Sequence, residues 1–234
     1  MKTRGFSISF RAIFLAASFL LAALFTPFSS GAAPHADFRA ALEYKDGKHP
    51  VKNCGSSAVS GELARLDVRL GKAGYFTLLV DMQGGRMRVL SQKLKAYVET
   101  AVEGDAHSWR DLVRSASSVM IPQTLGMVSF QEQSCQEQGK ERWNGIEAVK
   151  SRCVFKLGFM GSYRDITFDV WESRDIVPFP LKVEVIEDGR TRGGSAWLEG
   201  IETAASPEKD FLVPKDFTRF TSVLDLILYA LSAF

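Results

Sequence analysis

The stretch Tyr75-Phe76-Thr77-Leu78-Leu79-Val80-Asp81-Met82-Gln83-Gly84-Gly85-Arg86-Met87-Arg88-Val89 carries the pattern that decides the fold. Residues 75–80 are nearly all apolar, as in a strand from the middle of a sheet. Past Gln83-Gly84-Gly85 the pattern resumes, with Met87 and Val89 set against Arg86 and Arg88. A side-chain period of two on either side of a glycine turn belongs to strands with one buried face.

The same period runs outward in both directions. Upstream, Phe38, Ala40, Leu42 and Tyr44 alternate with Arg39, Ala41, Glu43 and Lys45, and Leu66, Val68 and Leu70 with Arg65, Asp67 and Arg69. Downstream, Tyr97 to Thr100 reads as a short strand. Val149, Ser151, Cys153, Phe155 and Leu157 then share one face, opposite Lys150, Arg152 and Lys156. Ile166, Phe168 and Val170 follow, and Leu181, Val183 and Val185 lead into Asp188-Gly189, a hairpin signal, with a return strand near Ala196 to Ile201. About nine to eleven antiparallel strands joined by tight turns predict a large curved sheet, a barrel or a sandwich.

Two helices interrupt the strands. Ser108-x-x-Asp111 reads as a capping box before an apolar stripe of Trp109, Leu112, Val113, Ala116 and Met120, which Pro122 ends. At the C-terminus Phe217, Phe220, Leu224, Ile227, Leu231 and Phe234 recur at helical spacing. Its only basic residue is Arg219, so packing on the sheet is a better use of its apolar face than lying on a membrane. The fold class is therefore mainly β with a few helices.

Lys2, Arg4 and Arg11 precede an apolar stretch from Ala12 to Phe25, and small residues follow up to Ala33. These are the three parts of a secretory signal peptide, with cleavage expected after Ala32. The rival reading is an uncleaved anchor, but the apolar core is shorter than the roughly 20 residues of a spanning helix and Pro27 interrupts its end. The expected organisation is a signal peptide over 1–32 and one domain over 33–234, without a membrane span once the signal is cut. Removing the three cations turns the net charge of +2 into −1, so the pI of 8.4 overstates the basicity of the exported part. A clustered basic face of the kind that binds nucleic acid is missing.

Cys54, Cys135 and Cys153 remain after cleavage. Export allows a disulfide, and the odd count leaves one thiol over. Cys135 and Cys153 flank the turn signal Trp143-Asn144-Gly145 at equal distance, so antiparallel arms about that turn would oppose them. The alternative is two buried thiols, and Gly139 with the polar run 131–142 leaves the register open.

No reactive constellation stands out. His35, His49 and His107 lack a partner at metal-ligand spacing, and there is no nucleophile elbow, Walker A loop or dinucleotide fingerprint. Asp67, Asp81, Asp165 and Asp169 fall in strands and read as solvated acids. Arg86, Arg88, Lys93 and Lys95 read first as a polar strand face with a turn, and second as a docking patch for an anionic headgroup or an acidic partner. No catalytic residue, metal or cofactor is expected, and the chain is not expected to be an enzyme.

The order of Gly61-Glu62-Leu63-Ala64-Arg65, the apolar strand Tyr75 to Asp81, Lys95-Ala96-Tyr97-Val98-Glu99, Gly139 to Gly145, the strand ending at Trp171, Phe179-Pro180-Leu181-Lys182 and Phe211-Leu212-Val213-Pro214 resembles the LolA/LolB superfamily of periplasmic proteins. Within it, the match is to the uncharacterised branch described as outer-membrane lipoprotein-sorting-like. The resemblance covers nearly the whole exported part and rests on turns and strand patterns. It implies an open, curved antiparallel half-barrel with helices covering an apolar concave face, and a periplasmic location. It also implies a binder or carrier of lipid or lipoprotein acyl chains. The inward residues Phe76, Leu78, Val80, Met87, Val89, Phe155 and Phe168 would line that groove. The alternative on the same fold is a non-enzymatic interaction or sensor module that docks an envelope protein.

Overall fold

The alternating runs do form strands, and all of them belong to one sheet. The computed structural model describes residues 36–45, 52–69, 74–112, 115, 128–159, 162–187, 190–221 and 225. Its strands are β1 (Phe38–Lys45), β2 (Lys52–Ser60), β3 (Leu63–Arg69), β4 (Tyr75–Asp81), β5 (Arg86–Ser91), β6 (Ala96–Ala101), β7 (Val128–Trp143), β8 (Ile146–Phe159), β9 (Ser162–Glu172), β10 (Lys182–Glu187), β11 (Arg190–Glu202) and β12 (Thr218–Phe220). They lie in the order β12-β6-β5-β4-β3-β2-β1-β11-β10-β9-β8-β7. Two antiparallel meanders, β1–β6 and β7–β11, are thus sewn together where β1 pairs with β11. The result is an open, curved sheet with β12 and β7 at its edges.

Twelve strands exceed the expected number because β2 and β12 escape a reading based on hydrophobic alternation. β2 (Lys-Asn-Cys-Gly-Ser-Ser-Ala-Val-Ser) carries few large apolar side chains. Its neighbours supply the pattern: Ser57 sits between Ala40 of β1 and Leu66 of β3.

β12 replaces the start of the expected C-terminal helix. Thr218–Phe220 pairs in parallel with Ala96–Val98, and the Thr218 N–H donates to the Lys95 carbonyl at 2.8 Å. Arg219 reaches Glu99 at 3.1 Å, and Lys95 reaches Asp216 at 2.8 Å. These contacts hold the segment extended, so Phe217 and Phe220 do not belong to a helix. Asp225 is helical, while Leu224, Ile227, Leu231 and Phe234 lie outside the described residues.

The interior face of the sheet is largely apolar among the described residues. Leu66, Leu78, Val89 and Val98 stand opposite one another across β3–β6. Phe38 and Leu42 of β1, Leu198 of β11, Leu181 and Val183 at β10, Phe168 of β9 and Phe155 of β8 continue the same core. Burying each such large side chain contributes about 1.5–3 kcal/mol.

The expected cover of helices is, among the described residues, a single helical turn in the β6–β7 crossover at 109–112, with Ser115. Trp109 and Leu112 enter the core there, and Ile176 and Phe179 enter it from the β9–β10 loop. Trp109 and Phe179 meet edge to face, with centroids 5.6 Å apart. The capping box forms only halfway. The Asp111 N–H lies 3.5 Å from the Ser108 hydroxyl, but the Asp111 carboxylate accepts instead from the Asp105 N–H at 2.9 Å. Val113, Ala116, Met120 and Pro122 lie outside the described residues.

The β7–β8 hairpin turns at Asn144 and Gly145, both with positive φ, which suits a two-residue turn. That turn pairs Trp143 with Ile146, and a regular ladder from there would set Cys135 against Val154. A bulge between Glu137 and Gly139 inserts one residue into β7 and brings Cys135 opposite Cys153 instead. In the structure these two sulfurs are bonded. Gly139 holds φ +135°, which a side chain would strain. Gly139→Val is therefore expected to weaken the bulge and let the register slip. Thiol counting under denaturing conditions should then find three free cysteines in a growing fraction of chains, against one in the parent.

Candidate functional site

The seven side chains assigned to the groove share one face of the sheet. Leu78, Val80, Met87, Phe155 and Phe168 are fully buried, while Phe76 and Val89 are partly buried against the same core. They fall in two groups on either side of the β1–β11 seam. Phe76, Leu78 and Val80 of β4 lie beside Met87 and Val89 of β5, and Val80 opposes Met87. On the far side Phe155 and Phe168 meet edge to face at 5.5 Å. Among the described residues both groups belong to one buried core cluster, with Trp109, Leu112, Ile176 and Phe179 packed into it.

Among the described residues, Arg110 brings a charged group to this face. Arg110, buried on the crossover, donates from Nη2 to the Cys135 Sγ at 3.1 Å. The crossover thereby touches the β7–β8 disulfide, a contact that nothing in the sequence pattern announces. Ser57 and Ser151 also turn into the core; their hydroxyls are buried without a hydrogen-bond partner among the described residues.

The opposite, outer face carries the open cavity. A groove of about 990 Å³ runs over β1–β4 and is walled by the chain from Gly200 to Asp210. Its floor is made of small residues, among them Ala41, Gly55, Ser56 and Ala58. Gly55 is required there, because a Cβ would lie 1.8 Å from the Asp67 carbonyl oxygen. Asp67 organises the groove. Its carboxylate accepts from Arg65 Nε at 2.7 Å and Nη2 at 3.0 Å, from Thr77 Oγ1 at 2.5 Å and from Ser56 Oγ at 3.4 Å. The wall is tied down by Arg65 Nη1, which donates to the Asp210 carbonyl, and by Arg39 Nε, which donates to Ser206 Oγ at 2.7 Å.

Other residues singled out in the sequence have structural partners. Asp169 is not solvated: its carboxylate is buried and held by Arg152 at 2.7 and 2.8 Å. His107 is likewise not free in solvent but lies between Glu62 at 2.9 Å and Asp105 at 3.0 Å. In the basic run, Arg88 binds Glu99 at 2.6 Å and Lys95 binds Asp216. Burial raises the Glu99 carboxyl, but the hydrogen bond and charge of Arg88, with Arg219 and Arg86, hold it below the ordinary value overall. Two of the four cations are thus spent on holding β5, β6 and β12 together. No group of three or more His, Cys, Asp or Glu among the described residues could hold a metal ion.

Cys54 is the free cysteine, packed against the core edge. Burial, with the Glu43 charge adding to it, pushes its thiol up to about 12. At pH 8 it should resist iodoacetamide in the folded protein and react once the chain is unfolded. Its share of stability is full below the unfolded thiol value of about 8.5 and is lost as pH rises toward the folded value.

No family model and no curated protein matches the chain. Solved structures do. An uncharacterised conserved protein from Thermus thermophilus is similar over 91% of this chain and 99% of its own, with 10% identity and a TM-score of 0.44. The lipoprotein LppX of Mycobacterium tuberculosis matches over 88% and 96%, with 16% identity and a TM-score of 0.30. A domain from Vibrio parahaemolyticus, described as an outer membrane lipoprotein-sorting protein, matches over 87% and 97%, with 12% identity and a TM-score of 0.21. No helix among the described residues is long and apolar enough to cross a membrane.

Proposed function

We propose that the chain is an exported, periplasmic binder or carrier of lipid or lipoprotein acyl chains, and not an enzyme. One observation carries the reading: an apolar face that runs across the sheet is covered, among the described residues, by one helical turn and one loop. Acyl chains would take the place of that cover, moving Trp109 and Leu112 away from the two groups of groove residues. Each acyl CH₂ transferred from water contributes about 0.8 kcal/mol, so a chain of a dozen carbons offsets the cost of uncovering the face. The signal peptide over 1–32 delivers the domain to a compartment where such chains need a shield.

Displacement of a fluorescent fatty acid from the folded protein tests this. Saturable binding that weakens in Leu78→Asn and that shifts Trp109 emission supports the carrier. A protein that is folded yet shows neither signal is not a carrier.

A second reading, an interaction module that docks an envelope protein, is favoured by the close packing of the same seven residues in the described structure. It predicts a specific partner captured from the envelope and no bound lipid.

A further inference from the structure

The outer groove has a different character from the core face, and its chemistry selects a different ligand. We propose that it binds a saccharide. The inference is independent of the acyl-chain reading, because the two sites lie on opposite faces of the sheet.

A sugar presents an edge of hydroxyls and a face of C–H groups, so its site needs fixed planar polar side chains, small apolar contacts and an aromatic platform. The groove has all three. Arg65 is locked by its bidentate pairing with Asp67 and by the Asp210 carbonyl, which together use Nε–H, one Nη2–H and one Nη1–H. Of the five donors of a guanidinium, these bonds leave two unused on a side chain that lines the groove. Arg39 is fixed in the same way by Ser206 and the Ala205 carbonyl. Side chains already bonded lose little entropy when a ligand adds to them.

Ala41, Ser56 and Ala58 give a floor low enough for a ring to settle on. Tyr75 stands at the rim, 49% exposed, with the Arg69 guanidinium 5.6 Å from its ring centroid.

Charge excludes the competing ligand classes. Asp67, Glu202 and Asp210 line the groove against Arg39 and Arg65. The Asp67 carboxylate already neutralises Arg65, so among the lining residues a phosphate finds a single cation, Arg39, without a carboxylate partner. A polycation meets both guanidinium groups, and an acyl chain would desolvate all five charges. A neutral, hydroxyl-rich molecule meets none of these costs. The volume of about 990 Å³ lies at the upper end of the roughly 300–1,000 Å³ typical of small-molecule sites and suits an oligosaccharide.

The test is calorimetric titration of the folded protein with chitotriose and with maltotriose, repeated in the presence of inorganic phosphate. At least one trisaccharide should bind saturably with a millimolar or tighter Kd that phosphate leaves unchanged. Tyr75→Ala and Arg39→Gln, each checked for an unaltered melting temperature, should weaken that binding at least tenfold. Heat from neither trisaccharide, binding that both variants retain, or displacement by equimolar phosphate would each overturn the proposal.

Discussion

Phe155→Ala is expected to lower the stability of the domain by about 3–5 kcal/mol. Phe155 is fully buried, stacks edge to face on Phe168 and stands on β8, the second strand in from the β7 edge. Its removal leaves a cavity between strands already held in register by the hairpin and disulfide, so the site cannot collapse freely. For a domain of this size the melting temperature should fall by about 6–20 °C, read by calorimetry or circular dichroism. A fall of less than about 1 kcal/mol would mean that this side chain is not enclosed as described, and that the concave face is more open than its packing implies.

Gly55→Val should be nearly as severe and by a different route. The new Cβ would meet the Asp67 carbonyl at 1.8 Å, so β2 and β3 must part where Gly55 opposes Val68. Overpacking against backbone, which has no rotamer to yield, is expected to cost about 3 kcal/mol or more. Equilibrium urea unfolding reads the loss. Because the same strands carry the groove floor, Gly55→Val should also abolish any ligand binding on the outer face, whereas Phe155→Ala should leave that binding intact under native conditions.

The contrast between these two residues marks what the sequence discloses. Phe155 sits in an alternating run, Val149 to Leu157, and period two places it on the buried face without further information. The same holds for β1, β3–β5 and β9–β10, which is why an antiparallel β architecture is legible in the sequence, while the choice among curved sheet, barrel and sandwich is not. Gly55 lies in a stretch of small and polar residues whose strand is imposed by its neighbours. Hydrophobic alternation carries no record of such a strand, and the groove on its outer face is hidden with it.

Three further features were beyond the reach of pattern. The C-terminal stripe from Phe217 has helical spacing, yet hydrogen bonds to Lys95 and ion pairs to Glu99 draw its first turn into the sheet. Asp169 lies on the outward side of its strand but is buried by neighbouring side chains and by Arg152, a tertiary effect. The two cysteines are opposed for a reason that counting misses. Equal spacing about Asn144 is the wrong rule for a two-residue turn, and the bulge at Gly139 supplies the missing residue. The seven residues assigned to an acyl-chain groove are buried or half-buried in the core of the sheet. Occupancy of that face by cargo is a separate physical matter, decided by whether acyl chains compete with Trp109 and Leu112.

Lipid mass spectrometry of the domain, exported to the envelope and purified without detergent, addresses that competition directly. The account predicts an acyl lipid retained at near-stoichiometric amount and lost when Leu78→Asn breaks the apolar face. A folded domain, with its melting temperature intact, that carries no lipid from the envelope would contradict it.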